Sequence, residues 1–153
     1  MSKEKAPRPQ EIRNRKAGYE YEFLEKYVAG LMLMGTEVKS LRAGKAQISE
    51  AFCAFTHNEL FVRDMHISEY TQGSWTNHEV RRHRKLLLSK EELIQIKKRI
   101  SEKGLTLIPL RIFFNDRGLA KMEIALAKGK KIHDKRDSIK EKDVQREISR
   151  LNA

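Results

Sequence analysis

The chain has 153 residues, a net charge of +11 and a pI near 9.8, which suits one domain built on one core. Its lone cysteine, Cys53, excludes an internal disulfide, and no apolar run approaches the roughly 20 residues that span a bilayer. The N-terminus is basic but lacks the apolar stretch of a secretory signal, so the cytoplasm is the expected compartment and no membrane partner is expected.

In chain order, residues 1–14 read as a flexible basic leader, with Pro7 and Pro9 blocking regular structure. Tyr19-Glu20-Tyr21-Glu22-Phe23 alternates as a half-buried strand does; its phase shifts at Leu24, the mark of a bulge, and resumes at Tyr27 and Val28. Gly30 and Gly35 bracket Leu31-Met32-Leu33-Met34, which reads as a short buried strand with Met32 and Met34 in the core. Residues 36–44 form a short helix with Thr36 as N-cap, Glu37 at the positive end of the dipole and Gly44 closing it. Val38 and Leu41 then face the core, and Lys39 and Arg42 share another side. Residues 47–55 and 59–66 make a hairpin around His57-Asn58.

From Tyr70 to Arg84 the chain is polar and irregular and holds Gly73 and Trp75. Ser89-Lys90-Glu91-Glu92 is a capping box; Leu93, Ile96 and Ile100 give the helix an apolar face and Gly104 stops it. Residues 105–114 and 119–127 form a second hairpin about Asn115-Asp116-Arg117-Gly118. About six short strands with two or three helices predict a mainly β fold, a small closed barrel of the OB-like kind, over residues 15–127. Residues 128–153 are a basic tail. Ser138 and Glu141 make a further capping box there, Val144, Ile148 and Leu151 form a thin apolar stripe, and Lys142, Arg146 and Arg150 a basic one. So short a helix is marginal alone, which predicts a tail disordered when free and helical when docked.

The charge is unevenly placed. Residues 1–17 carry six basic and two acidic groups, the tail nine and five, and the middle seventeen and fourteen. Basic arms on a nearly balanced body point to a polyanion, in a cell most often nucleic acid. Solubilising tails are the plainer alternative. The run Arg81-Arg82-His83-Arg84-Lys85 sits ahead of a helix start, where the dipole disfavours positive charge, and so points to an anionic partner; a solvated approach to the helix is the plainer alternative. Trp75, in a polar loop, could stack on a base or cap the end of the barrel.

Enzyme signals are absent: no G-x-S-x-G, no Walker loop, no Rossmann glycine run and no H-E-x-x-H. The five histidines are scattered and Cys53 has no cysteine partner, so neither metal nor cofactor is expected. Asp64 near His66 reads as part of a polar sheet face. The expectation is a binding protein, not an enzyme.

Several segments resemble the small protein B family: Asn14-Arg15-Lys16-Ala17; Gly35-Thr36-Glu37-Val38-Lys39-Ser40-Leu41-Arg42-Ala43-Gly44-Lys45; Asn77-His78-Glu79 with Arg81 and Arg84-Lys85-Leu86-Leu87-Leu88; Gly104-x-Thr106 with Ile108-Pro109-Leu110; and Lys128-Gly129-Lys130-Lys131-x-His133-Asp134-Lys135-Arg136. The resemblance implies an OB-like barrel that binds the tRNA-like domain of tmRNA and enters the A site of ribosomes stalled on a message without a stop codon. It implies RNA-facing roles for Asn14, Arg15, Lys16, Glu37, Lys39, Arg42, Lys45, Arg84 and Lys85, to which Trp75 and Arg81 are added as candidates. In the tail it implies that Lys130, Lys131, His133, Asp134, Lys135 and Arg136 meet the decoding centre, with Lys142, Arg146 and Arg150 in the mRNA channel. The implied partners are tmRNA and the ribosome, with the protein acting as a monomer. Two residues depart from the family pattern: Val80 stands where proline is usual, and His133 where tyrosine is frequent. The alternative from a different class is a basic ribosomal protein or translation-factor-like OB module.

Overall fold

A computed structural model describes residues 11–72 and 77–130. Two long antiparallel partners organise it: β2 (Tyr21–Leu31) and β9 (Ala120–Gly129), joined along nearly their whole length from Tyr21↔Gly129 to Gly30↔Lys121. The register shifts between Phe23 and Glu25, so the bulge expected at Leu24 is present and lets one continuous strand replace two. β9 also pairs with β8 (Thr106–Phe114) through the tight turn at Asn115–Gly118, where Asn115 Oδ1 accepts from the N–H groups of Arg117 and Leu119.

β4 (Phe52–Thr56) and β5 (Glu59–Arg63) form the other hairpin. His57 and Asn58 both have positive φ, 49° and 65°, as a two-residue type I′ connection requires. β5 pairs with β7 (Arg84–Leu87) and β7 with β2, so the order β8-β4-β5-β7-β2-β9 returns to β8. The sheet closes on itself in six strands, and the expected closed, mainly β architecture is what forms. β1 (Ile12–Arg13) adds to β8, while β3 (Ala46–Gln47) and β6 (His66–Ile67) make a separate two-stranded pair.

The core inside the ring comes from inward residues of every wall, among them Tyr27, Cys53, Leu60, Val62, Leu86, Leu107, Ile112, Met122, Ile124 and Leu126. Among the described residues, three helices pack outside. α1 (Ala17–Glu20) is one turn. α2 (Gly35–Arg42) puts Leu41 fully into the core with Val38 packed beside it. α3 (Lys90–Lys103) starts at Ser89, whose Oγ accepts from the Glu92 N–H at 3.2 Å, and ends at Gly104 in the left-handed region, φ 59°. Ile96 is buried in the core, with Leu93 and Ile100 packed against the same cluster.

Several expectations need correction. Tyr19 and Glu20 are helical, because their N–H groups bond to the Lys16 carbonyl and Ala17 is buried in a small cluster with Ile108 and Ala127. Leu31–Met34 is not a strand of its own. The chain leaves β2 there to enter α2, and Met32 and Met34 are exposed. The N-cap of α2 is Met34, not Thr36. Asp64 has φ 56° and turns the chain after β5, so it belongs to no polar sheet face. The barrel also extends past both expected limits: Ile12 and Arg13 pair with β8, and Lys128 and Gly129 with β2.

Candidate nucleic-acid interface

α2 carries three of the expected RNA-facing residues, Glu37, Lys39 and Arg42. It runs from β7, through an ion pair of Glu37, to the β8–β9 turn, through Arg42. The Arg42 guanidinium lies 5.5 Å from the Phe114 ring centre and its Nη2 donates to the Gly118 carbonyl at 3.3 Å. Lys39 Nζ lies 5.3 Å from the Tyr70 ring. Both side chains are exposed, as is Lys45 just beyond the helix. Arg42 and Lys39 are therefore held over aromatic faces while their charges stay reachable.

Two of the expected contacts are not on the surface at all. Glu37 and Arg84 are fully buried and paired with each other. The Glu37 carboxylate accepts from Arg84 Nε, from Arg82 Nη2 and, at 2.8 Å, from the Met34 N–H. Arg84 Nη1 donates to the Met65 carbonyl at 2.6 Å, and Nη2 to those of Glu79 at 3.3 Å and Val80 at 3.1 Å. One guanidinium thus ties α2, the end of β5 and the 79–80 turn together. Burial alone would raise the Glu37 pKa, but Arg82, the Met34 amide and Arg84 outweigh it and hold the carboxyl below its ordinary value. Burial pulls the Arg84 pKa down, against the opposing pull of Glu37.

Three of the four cations in the 81–85 cluster have counter-charges within the fold. Arg82 and Arg84 meet Glu37, and Lys85 meets Glu59 at 3.3 Å. Residues 84–87 are a strand, so the cluster does not abut the α3 N-terminus as expected. Arg81 and His83 are exposed. Lys85 is on β7, across the six-strand ring from β8 and β1.

Asn14, Arg15 and Lys16 follow β1. Asn14 is strapped to β8 by its N–H to the Leu110 carbonyl, 2.8 Å, and its Nδ2 to the Pro109 carbonyl, 3.0 Å. Arg15 and Lys16 are exposed, and Lys16 reaches Glu50 at 3.3 Å. β3, which follows Lys45, lies beside β1, so the chain leaving α2 passes close to the segment that holds Asn14, Arg15 and Lys16.

Sequence reasoning missed two clamps. His78 is buried; its Nε2 donates to the Ile67 carbonyl at 3.0 Å, and its Nδ1 is 2.9 Å from Thr36 Oγ1. The Asn77 side chain bonds both backbone groups of Tyr70, accepting at 3.2 Å and donating at 2.8 Å, and so ties the two ends of the 70–77 segment. Trp75 lies outside the described residues. So do Lys131, His133, Asp134, Lys135, Arg136, Lys142, Arg146 and Arg150. Lys130 is the last described residue; its N–H donates to the Glu20 carbonyl at 3.0 Å and its Nζ to the Gly18 carbonyl at 3.1 Å.

With this geometry in hand, residues 11–153 match the family model described as SmpB protein. The chain belongs to the SmpB protein family. It is 57% identical over 140 residues to the SsrA-binding protein of Cytophaga hutchinsonii, covering 92% of each chain. It is 54% identical to that of Christiangramia forsetii, covering 92% of this chain and 89% of the relative. A solved structure presented as "tmRNA-SmpB: a journey to the center of the bacterial ribosome" contains a chain 49% identical to this one, with a TM-score of 0.67 over 83% of this chain and 87% of that one. Among the described residues, no helix is long and apolar enough to cross a membrane.

Proposed function

We propose that this chain is the tmRNA-binding adaptor of trans-translation, acting in the cytoplasm as a binding protein and not as a catalyst. Its body holds the tRNA-like domain of tmRNA, and its C-terminal segment probes the decoding centre and empty mRNA channel of a stalled ribosome. The observation that carries this reading is the SmpB family match, which spans the body and the C-terminal segment alike.

The body offers what recognition of a folded RNA needs: a rigid closed sheet, with Lys39 and Arg42 held on a helix against it. Exposed Arg15, Lys16, Lys39, Arg42 and Lys45 supply phosphate contacts. Glu37, Arg84, His78 and Asn77 act behind them, holding α2 and the 70–77 segment that carries Trp75. In the C-terminal segment, Lys130, Lys131, His133, Asp134, Lys135 and Arg136 are assigned to the decoding centre. Lys142, Arg146 and Arg150 are assigned to the channel, where a basic helix could form on docking.

The test is to sequence the RNA that copurifies with the chain. One small tRNA-like RNA, sub-stoichiometric to ribosomes, is the expected result. Equal recovery with all ribosomes would instead favour a structural ribosomal protein.

A further inference from the structure

Arg42 closes α2, where the helix dipole favours a cation, but its side chain is held by partners that belong to another element. It leans onto the β8–β9 turn. The guanidinium carbon lies 5.5 Å from the centre of the Phe114 ring, and Nη2 donates to the Gly118 carbonyl at 3.3 Å. Phe114 is buried in the core, so the ring beneath Arg42 is a fixed floor.

The turn is built to keep that seat in place. Asn115 Oδ1 accepts from the N–H groups of Arg117 and Leu119. The Asn115 N–H bonds to the Leu119 carbonyl at 3.0 Å, and the Gly118 N–H to the Asn115 carbonyl at 2.9 Å. These bonds set the direction of the Gly118 carbonyl. Gly118 has φ 76°, a region that glycine enters without steric cost. Its missing side chain matters too. A Cβ there would stand 3.3 Å from Arg42 Nη2, the only atom beyond its chain neighbours that it would meet within 4 Å among the described residues.

An exposed arginine gives up much of its rotamer freedom when it grips a phosphate. Here folding of the barrel has already restricted that side chain, and the planar fork is aimed before any partner arrives. The carbonyl takes one of the five donors that a guanidinium carries, and the residue stays exposed.

We propose that Phe114 and Gly118 are positioning residues for RNA binding: they hold the Arg42 guanidinium ready for one phosphate of the bound RNA and touch no RNA themselves. The inference rests on the RNA-adaptor reading and deepens it by adding two uncharged residues to the interface.

A double-mutant cycle on the full chain tests it, with affinity for the tRNA-like domain of tmRNA titrated against salt. Arg42→Ala should weaken binding about tenfold and lower the salt slope by about 1. Gly118→Ala brings a methyl group against Nη2, and Phe114→Leu removes the ring while keeping the core apolar. Each should weaken binding about threefold, with circular dichroism unchanged. Gly118→Asn, which tolerates the backbone angle, should match Gly118→Ala. In the Arg42→Ala background all three should cost nothing further. A loss that persists undiminished in that background would overturn the proposal in favour of a turn that meets RNA itself. Gly118 and Phe114 variants that bind as tightly as the unaltered chain would overturn it as well. Normal binding by Arg42→Ala would strike Arg42 from the interface and the proposal with it. An unaltered chain that binds no tRNA-like RNA would instead remove the adaptor reading, a distinct outcome.

Discussion

Arg84 belongs to the most basic run in the body of the chain, yet it is fully buried against Glu37. A buried pair of this kind adds little net stability over apolar residues, but removing one partner strands the other charge at a cost of about 3–5 kcal/mol. Glu37→Gln should therefore lower the unfolding free energy by about that amount, read from the urea midpoint. The pH dependence has a definite sign. Glu37 has a folded pKa below its ordinary 4.5, so its contribution is complete above that value and is lost as pH falls through the depressed one. The melting temperature should hold from neutrality to about pH 5 and drop below it; in Glu37→Gln the drop should be shallower. The burial of Arg84 was legible in one respect. In a strand, residues two apart share a face, and Leu86 is an evident core residue. Charge density in the run drew attention away from that spacing. Glu37 was not legible as its partner, because the two meet across 47 residues of sequence.

At the scale of elements, the signals carried by short-range chemistry were readable and the rest were not. Ser89 with Glu92 fixed the start of α3, Gly104 its end, and His57-Asn58 a hairpin, because each depends on hydrogen bonds or backbone angles within a few residues. Ser89→Ala should cost about 1 kcal/mol in the same urea experiment. Gly104→Ala should cost about 1–2 kcal/mol from its left-handed backbone alone, since a Cβ there meets no neighbour within 4 Å. The apolar run Leu31–Met34 misled because hydrophobicity marks burial only where a neighbouring strand covers it. Here the chain departs from β2, and two methionines are left exposed. The single turn of α1 had no helical period to display. It exists because Ala17 packs on Ile108 and Ala127, from strands distant in sequence. The seat of Arg42 was equally hidden, since Phe114 and Gly118 lie far from it in sequence.

For the molecule as a whole, charge and topology divide the work. The ring is complete within residues that end at Gly129, and Lys130 is fastened to α1 by backbone and side chain. The cations assigned to the tRNA-like domain belong to that body, whereas the decoding and channel residues lie almost wholly beyond it. If about 5–8 phosphates are neutralised, the logarithm of RNA affinity should fall with the logarithm of salt with a slope of about −4 to −7. A flat response would contradict a phosphate-dominated footprint. The body's share of that slope should persist without the residues after Lys130. The most direct measurement compares the full chain and a chain ending at Lys130 for binding to the tRNA-like domain of tmRNA and for peptide tagging on stalled ribosomes. Near-equal RNA affinity with tagging lost is the predicted result; loss of RNA binding in the shortened chain would contradict the division between gripping body and probing tail.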